Sequence, residues 1–167
     1  MPGYPASAQG ASEERPQRYV GFSSATYEGF FSPRSVELVR RVMLQFYTKE
    51  FFAELASRLN ADPEWKRVSK DLTLTIVCAA VDRGRSFLIR IRSGKVTTRP
   101  APADAKPDFK FEGTYDTWVQ VCKGEAEFEK LIQTGRMRFA GSMPKLMAGM
   151  GPLNRIVLMA RSFPKEF

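Results

Sequence analysis

The sequence predicts an α+β domain in which helices gather on one face of a five-stranded, mostly antiparallel β-sheet. Three observations predict it. A region of helical apolar periodicity comes first, three alternating strands joined by tight turns follow, and two further strands alternate with helices. Helices that come before and after a run of consecutive strands are typical of an antiparallel sheet that is covered by helices on one side. At 167 residues, the chain has room for one such domain and a tail.

The first 31 residues are rich in proline, glycine and serine, and we expect a flexible arm there because few apolar side chains offset the entropy of ordering. The later part of this arm, from Tyr19 to Phe31, is aromatic. Two interpretations stay open for it: it docks on its own domain, or it binds a partner protein.

A helix is expected to begin at Ser32-Pro33, where serine can cap and proline fits the first helical position. We assign residues 32–47 to this additional helix and residues 48–167 to the main domain. Thr48 divides it from a second helix, which ends between Asn60 and Pro63. The apolar residues of both recur every three or four positions, which predicts one core-facing stripe.

Three strands form the expected antiparallel meander. The first runs from Leu72 to Val81, and alternate residues face opposite sides of the sheet. A turn leads to a second strand from Ser86 to Arg92, and Ser93-Gly94 forms a tight hairpin into a third strand from Lys95 to Arg99.

In the rest of the chain, the predicted strands alternate with helices. A fourth strand contains Phe109 and Phe111, and Thr114 then caps helical segments at 117–123 and 125–134, which are separated at Gly124. The fifth strand spans residues 136–140.

Ser142 is expected to cap the next helix, and Gly149 and Gly151 interrupt it. A final amphipathic segment runs from Leu153 to Phe163.

The composition excludes several kinds of function. Histidine is absent, so the usual general base and the commonest transition-metal ligand are missing. Cys78 and Cys122 have no metal-binding spacing, and no phosphate loop or dinucleotide motif occurs. We therefore expect no enzyme activity, no cofactor and no metal. No stretch has the apolar length of a signal peptide or membrane span, so a cytoplasmic protein is expected.

The formal charge of +8 and the sequence pI near 9.7 indicate an anionic partner. Nucleic acid is not expected, because the aromatic residues lie in apolar stripes and do not alternate with the basic ones as in a stacking platform. A membrane surface or a phosphate-bearing ligand remains.

Methionines are concentrated between residues 128 and 161, which contain five of the seven in the chain. Because a thioether on rotatable bonds fills irregular apolar space, such a segment can line a site for a flexible ligand. It can equally be ordinary core.

Four segments carry a resemblance to a known family: WVQVCKG at 118–124, FEKLIQTG at 128–135, RMRFAG at 136–141 and the apolar helix at 143–150. Together with the order of elements, they resemble the sterol carrier protein type 2 lipid-transfer family from about Thr48 to Phe163. The resemblance implies an apolar tunnel between sheet and helices that binds a fatty acid, a fatty acyl-coenzyme A or a sterol-like lipid.

Under this resemblance, thirteen apolar side chains are candidates for the ligand-binding lining, each of which could instead be filled core. They are Phe87, Ile89, Trp118, Val121, Phe128, Leu131, Ile132, Met137, Phe139, Met143, Leu146, Met147 and Met150. Four arginines of the hairpin region, Arg83, Arg85, Arg90 and Arg92, are candidates for contact with an anionic headgroup or membrane; a solvated sheet face is the alternative.

The sequence thus predicts non-catalytic binding and transfer of lipids. The alternative is an accessory or interaction subunit of an enzyme complex that reuses the lipid-binding fold, or the N-terminal arm, to dock a protein partner.

Overall fold

The structure is a computed structural model, and it describes residues 43–167. The predicted arm at 1–31 and the first eleven residues of the predicted helix at 32–47 lie outside the described part. In chain order the elements are β1 (Leu44–Gln45), α1 (Lys49–Ala61), α2 (Pro63–Ser69), β2 (Leu74–Ala80), a 3₁₀ turn (Val81–Arg83), β3 (Arg85–Arg92), β4 (Lys95–Pro100), β5 (Phe109–Gly113), α3 (Tyr115–Lys123), α4 (Phe128–Gln133), β6 (Arg138–Gly141), α5 (Met143–Ala148), α6 (Met150–Arg161) and β7 (Lys165–Glu166).

The five-stranded sheet confirms the predicted fold class. Its strand order is β4-β3-β2-β5-β6, and the β2–β5 pair is parallel while the other three pairs are antiparallel. The predicted meander β2-β3-β4 is present, and β5 returns to the free edge of β2 after the proline-containing loop. A parallel neighbour requires such a long connection, because a tight turn can only reverse the chain.

Residues 43–47 are not helical. Leu44–Gln45 forms β1, which pairs in parallel with β7, and the Phe46 amide donates to the carbonyl of Glu166 at 2.7 Å. Phe46 and Tyr47 then turn inward and are buried. The apolar residues whose spacing predicted a helix are therefore inward-facing residues of a strand and a turn. The backbone forms a strand here because pairing with β7 supplies its hydrogen bonds.

The core lies between one face of the sheet and helices α1, α3 and α6. Registered pairs such as Cys78 opposite Phe87 and Ile76 opposite Ile89 place the apolar residues of β2 and β3 on this inner face. The amphipathic helix α1 buries its predicted stripe against it, including Phe51, Phe52, Leu55 and Leu59.

Most of the predicted helix ends are confirmed. The side chains of Thr48 and Thr114 accept hydrogen bonds from the backbone amides three residues on, and Gly124 ends α3 in the left-handed region at φ 79°. Ser142 occupies the N-cap position of α5, but its side chain makes no capping hydrogen bond.

The edge strand β4 is covered by α1 and α2. The Asn60 side-chain amide donates to the carbonyl of Val96 and accepts from its N–H, both at 2.8 Å. The indole of Trp65 donates to the carbonyl of Gly94 at 2.7 Å. These bonds satisfy backbone groups that would otherwise remain open for pairing with another strand.

Candidate functional site

Two small apolar cavities lie between the inner face of the sheet and the helices. One has a volume of about 70 Å³ and the other about 50 Å³. They are neighbours, because five side chains border both: Cys78, Ile89, Trp118, Ile156 and Val157.

The remaining walls come from different parts of the fold. The larger cavity is also bordered by Phe46, Tyr47, Phe51, Phe52, Leu55, Val121, Cys122 and Ala160. The smaller one is also bordered by Ile76, Phe111, Phe128 and Leu153. The two linings are apolar apart from a phenol, an indole and two thiols, so dispersion and the exclusion of water dominate any contact made there.

The shared wall is fixed by the sheet and by α3. Cys78 and Ile89 lie on adjacent strands, and their side chains point to the inner face. The indole N–H of Trp118 donates to the carbonyl of Ala79 at 2.9 Å, which satisfies the one polar atom of that side chain and orients its ring between the cavities.

Helix α6 covers both cavities with Ile156 and Val157. The Arg155 guanidinium makes two hydrogen bonds to the carboxylate of Asp62, at 2.8 and 2.7 Å. At the C-terminal end of α6, Arg161 Nε donates to the carbonyl of Val121 at 2.8 Å. The helix that closes the interior is thus held by polar contacts at its middle and at its C-terminal end.

The cavities are too small for a lipid in this conformation. Each is smaller than the engineered cavity of about 150 Å³ that binds benzene in a protein core. Where the sequence predicted a tunnel, the structure contains two small neighbouring cavities.

The interior around the cavities is electrically neutral at physiological pH. Burial raises the pKa of the Cys78 thiol to about 12. Burial also raises the pKa of the Cys122 thiol and of the Tyr47 phenol, and the nearby Cys78 and Asp82 raise the phenol pKa further. Within the described part of the chain, no lysine or arginine borders either cavity.

Four of the thirteen predicted lining residues border a cavity: Ile89, Trp118, Val121 and Phe128. Six others are buried or half-buried in the surrounding core without bordering either cavity: Phe87, Leu131, Ile132, Met137, Phe139 and Leu146. Met150 is half-buried against the same core. Whether any of them contacts a ligand stays a prediction.

Met143 and Met147 lie elsewhere. They are 49% and 56% exposed on α5, so the structure has them on the surface and not in the predicted lining. In this six-residue helix, the buried residue is Leu146. A helix so short presents few positions to the core, and the two methionines extend into solvent.

Sequence reasoning missed most residues of the larger cavity, including Tyr47, Phe52, Cys78 and Ala160. Helical periodicity identified the first helix and the last segment as amphipathic, and strand alternation placed Cys78 on one face of its strand without showing which face is the inner one. Nothing in the sequence distinguishes an inward position that borders an empty volume from one that is fully packed.

The four arginines predicted to contact a headgroup do not lie together in one cluster. Arg90 and Arg92 lie on the outer face of the sheet, while Arg85 is at the other end of β3, about 16 Å from Arg90 at 3.3 Å per residue. The Arg83 guanidinium lies over the ring of Tyr115, 4.0 Å from its centroid.

Two further observations concern the described residues alone. Between residues 43 and 167, no group of three or more His, Cys, Asp or Glu side chains is arranged to hold a metal ion. No helix in the same part is long and apolar enough to cross a membrane.

The fold is similar to that of sterol carrier protein 2. A crystal structure of that protein has a TM-score of 0.65 and 16% identity, covering 71% of this chain and 98% of that chain. A solution structure of a conserved hypothetical protein from Thermus thermophilus, possibly a sterol carrier protein, has a TM-score of 0.62 and 14% identity, covering 74% of this chain and 92% of that chain. These similarities show that the chain has a fold like that of sterol carrier protein 2 (SCP2). At the level of the fold, they confirm the family resemblance inferred from the sequence.

Residues 39–156 match the alkyl sulfatase C-terminal family, and this chain belongs to that family. No curated protein sequence matches the chain significantly.

Proposed function

We propose that this chain binds an elongated apolar molecule beneath α6, a lipid with an alkyl chain or a sterol-like body, and carries it without chemical change. The observation that supports this most is the pair of neighbouring cavities with a common apolar wall. A protein with the same fold is named a sterol carrier protein.

Burial of the ligand provides the driving force. Each methylene removed from water contributes about 0.8 kcal/mol, which corresponds to roughly four-fold in affinity. Because the cavities are small, part of this free energy is used to displace α6. Affinity therefore rises with chain length until the widened space is filled.

Filling the shared wall tests the proposal. Val157 borders both cavities, and its neighbour Leu158 is 51% exposed on the same helix. We expect Val157→Trp to weaken binding of a fluorescent fatty acid or of an unlabelled alkyl competitor about ten-fold or more, because the indole occupies the ligand volume. Leu158→Trp adds the same side chain outside the interior and should bind normally. Native mass spectrometry of the purified wild type should detect a co-purified lipid.

Equal affinities for the two tryptophan variants, with both folded, would contradict this location of the site. A wild-type protein that binds no alkyl probe and carries no lipid would contradict the function itself.

A second candidate, an accessory domain that serves an enzyme, is favoured by the family match. The family is described as the C-terminal part of alkyl sulfatases, so its members occur beside an enzyme that acts on alkyl substrates. Purification of the full chain and of a form lacking residues 1–34 separates the two roles. Loss of a stoichiometric enzyme partner on truncation supports the accessory role, and the absence of any such partner from the full chain speaks against it.

We also propose that the outer sheet face, with Arg90 and Arg92, contacts anionic membrane surfaces during lipid exchange. Arginine forms forked contacts with phosphate groups, and a cation near such a surface gains about 1 kcal/mol.

A further inference from the structure

The connection between β4 and β5 crosses the outer face of the sheet, opposite the two apolar cavities. Because β3 and β2 separate these strands in the sheet, residues 101–108 pass over both. The connection is fastened at each end. The Ala101 amide donates to the carbonyl of Ser86 on β3 at 2.9 Å. The Asp108 carboxylate accepts from the amide and the hydroxyl of Thr75 on β2, at 2.8 and 2.7 Å. Residues 101–108 therefore form a strap that is anchored on the sheet.

A groove of about 420 Å³ lies between this strap and the strands. Its floor includes Leu88, which is buried, and Thr75, which is half-buried. The strap contributes an opposite wall with Pro102, Ala105 and Pro107. The volume lies within the range of about 300–1,000 Å³ that is usual for sites of small molecules. The outer face thus has a bounded site in addition to its charged surface.

Three cations border the groove: Arg90 from β3, Arg99 from β4 and Lys106 from the strap. Asp104 is the carboxylate of the lining, so three positive charges and one negative charge leave a net charge of +2. In the register of β3 and β4, Arg99 is opposite Leu88, which makes Arg90 its diagonal neighbour. Diagonal neighbours are about 7–8 Å apart, so two long side chains can reach the same ligand.

None of these cations is neutralised by the protein in the described part of the chain. Between residues 43 and 167, no carboxylate lies within 4.0 Å of the charged nitrogens of Arg90, Arg99 or Lys106. Arg90 is also half-buried, so its side chain has lost part of its contact with water. Three like charges around one space repel one another. An anion in the groove would remove this repulsion.

The charge of the groove determines which kind of anion fits best. A phosphate monoester carries about −1.5 to −2 charges at neutral pH and has three acceptor oxygens. This charge matches that of the groove, and the oxygens match the planar fork of donors on each arginine. A sulfate ester or a phosphodiester carries one negative charge, so it would leave part of the positive charge uncompensated.

We infer that the groove beneath the strap is a binding site for a phosphate monoester group, which is held by Arg90, Arg99 and Lys106. Soluble phosphate esters and the headgroup of phosphatidic acid both present this group, and the experiment below distinguishes them. The site differs from a general attraction of the outer face to anionic membranes, because it is bounded and takes one phosphate group. It does not depend on lipid binding in the cavities of the inner face.

The test compares methyl phosphate with methyl sulfate, which have the same shape and differ in charge. Their dissociation constants are measured by isothermal titration calorimetry with the full chain as wild type and as two double variants. Arg90→Gln with Arg99→Gln removes two cations from the groove. Arg92→Gln with Lys95→Gln is the control, because it removes two cations from the same face of the same two strands, outside the groove.

We expect wild type to bind methyl phosphate about ten-fold more tightly than methyl sulfate. The groove variant should lose about ten-fold or more of its affinity for methyl phosphate, because two forked, charge-assisted contacts are removed. The control variant should stay within about two-fold of wild type, since salt screens the more distant charges. Without phosphate, the groove variant should melt no lower than wild type, because the removed side chains repel each other in the free protein.

Vesicles distinguish the two sources of the phosphate group. Phosphatidylcholine vesicles that contain phosphatidic acid are compared with vesicles that contain the same amount of phosphatidylglycerol, which is a phosphodiester. A preference for phosphatidic acid that the groove variant loses would assign the site to a lipid headgroup. The absence of this preference, with methyl phosphate still bound by wild type, would assign it to a soluble ester.

Three outcomes overturn the inference: wild type does not bind methyl phosphate, wild type binds methyl sulfate equally well, or the two double variants lose the same affinity. None of them affects the proposed lipid-binding function, because that function depends on the cavities on the other face of the sheet.

Discussion

Gly94 illustrates how one residue in a turn limits what the sequence can tolerate. It follows Ser93 in the hairpin between β3 and β4, with φ 77°. A Cβ atom at this position would lie 2.8 Å from the backbone oxygen of Ser69 and 2.9 Å from its hydroxyl oxygen. Ser69 is fully buried, so it cannot move aside easily. Glycine is needed here both for its backbone angle and for the close approach of α2.

Gly94→Ala should therefore lower the free energy of unfolding by about 2–3 kcal/mol, from backbone strain and the displaced contact together. Gly84 provides the matched control, since its φ is 58° and a Cβ there would meet nothing within 4 Å. Gly84→Ala should cost only about 1 kcal/mol, from the backbone angle alone. Denaturant unfolding of both variants measures the difference, and equal losses would show that the contact with Ser69 is unimportant.

Single-residue signals in the sequence were reliable where the interaction is local. The start of a helix after Thr48, the capping role of Thr114 and the terminating role of Gly124 depend on neighbours within a few positions, and all three are confirmed. The hydroxyl of Tyr47 is buried without a hydrogen-bond partner among residues 43–167. This could not be predicted, because it results from packing against side chains from separate parts of the chain.

At the scale of elements, α6 is attached to the rest of the domain by an ion pair at its middle. Arg155 in the middle of α6 binds Asp62, which also accepts a hydrogen bond from the Trp65 amide and so caps α2. The Asp62 side chain is 11% exposed. The hydrogen bonds from Arg155 hold the pKa of Asp62 below its ordinary value of 3.8.

The lowered pKa of Asp62 determines how the stability of the fold changes with pH. Because the carboxyl pKa is lower in the folded than in the unfolded protein, the ion pair stabilises the fold above pH 3.8. That contribution is lost as the pH falls through the lower folded value.

Asp62→Asn should keep the cap of α2 and lose the ion pair, since asparagine caps about as well as aspartate. We expect a melting temperature a few degrees below wild type at pH 7, with the difference shrinking as the pH is lowered below 3.8, and faster hydrogen exchange in α6. Asp71→Asn, at a side chain that is 88% exposed, is the control and should behave as wild type. A difference that persists unchanged in strong acid would contradict the role of the ion pair.

Ligand uptake should respond to the same change. If α6 moves when a lipid enters, loosening its attachment through Asp62→Asn should speed the uptake of a fluorescent fatty acid in stopped-flow measurements. Unchanged uptake by a folded variant that melts lower would indicate entry by another path.

For the molecule as a whole, positive charge is concentrated on the outer face of the sheet. The register of strand pairs places six cations there: Arg90, Arg92, Lys95, Arg99, Lys110 and Arg138. Among the strand residues of that face, Glu112 is the carboxylate, and it binds Lys110 at 2.8 Å. The two apolar cavities lie on the other side of the sheet, so the charged face and the apolar cavities are separated by one layer of backbone.

Two double variants with the same change in charge test the membrane proposal. Arg90→Gln with Arg92→Gln removes two cations from the outer face, and Arg83→Gln with Arg85→Gln removes two from outside it. The first should weaken binding to vesicles containing anionic lipid about ten-fold or more at low salt, and the second should have a much smaller effect. Neutral vesicles should bind neither variant well. Equal losses would mean that only net charge matters, and the outer face would have no special role.

Much of the architecture could be predicted because it depends on periodicity. Alternation identified β2 and β3, three- and four-residue spacing identified the buried stripe of α1, and local motifs resembled the SCP2 fold. Residues 43–47 were predicted wrongly, because the apolar spacing of two inward side chains is the same in a helix and in a strand that turns.

The sequence by itself therefore determined which residues avoid water, where helices start and stop, and that the chain has this α+β fold. Tertiary structure alone decided which inward side chains border empty volume, that Met143 and Met147 face solvent, and that the hydroxyl of Tyr47 has no partner. The physical reason is that apolar periodicity is a property of residues close together in the sequence, whereas a cavity or an unpaired polar atom results from how distant segments pack against one another.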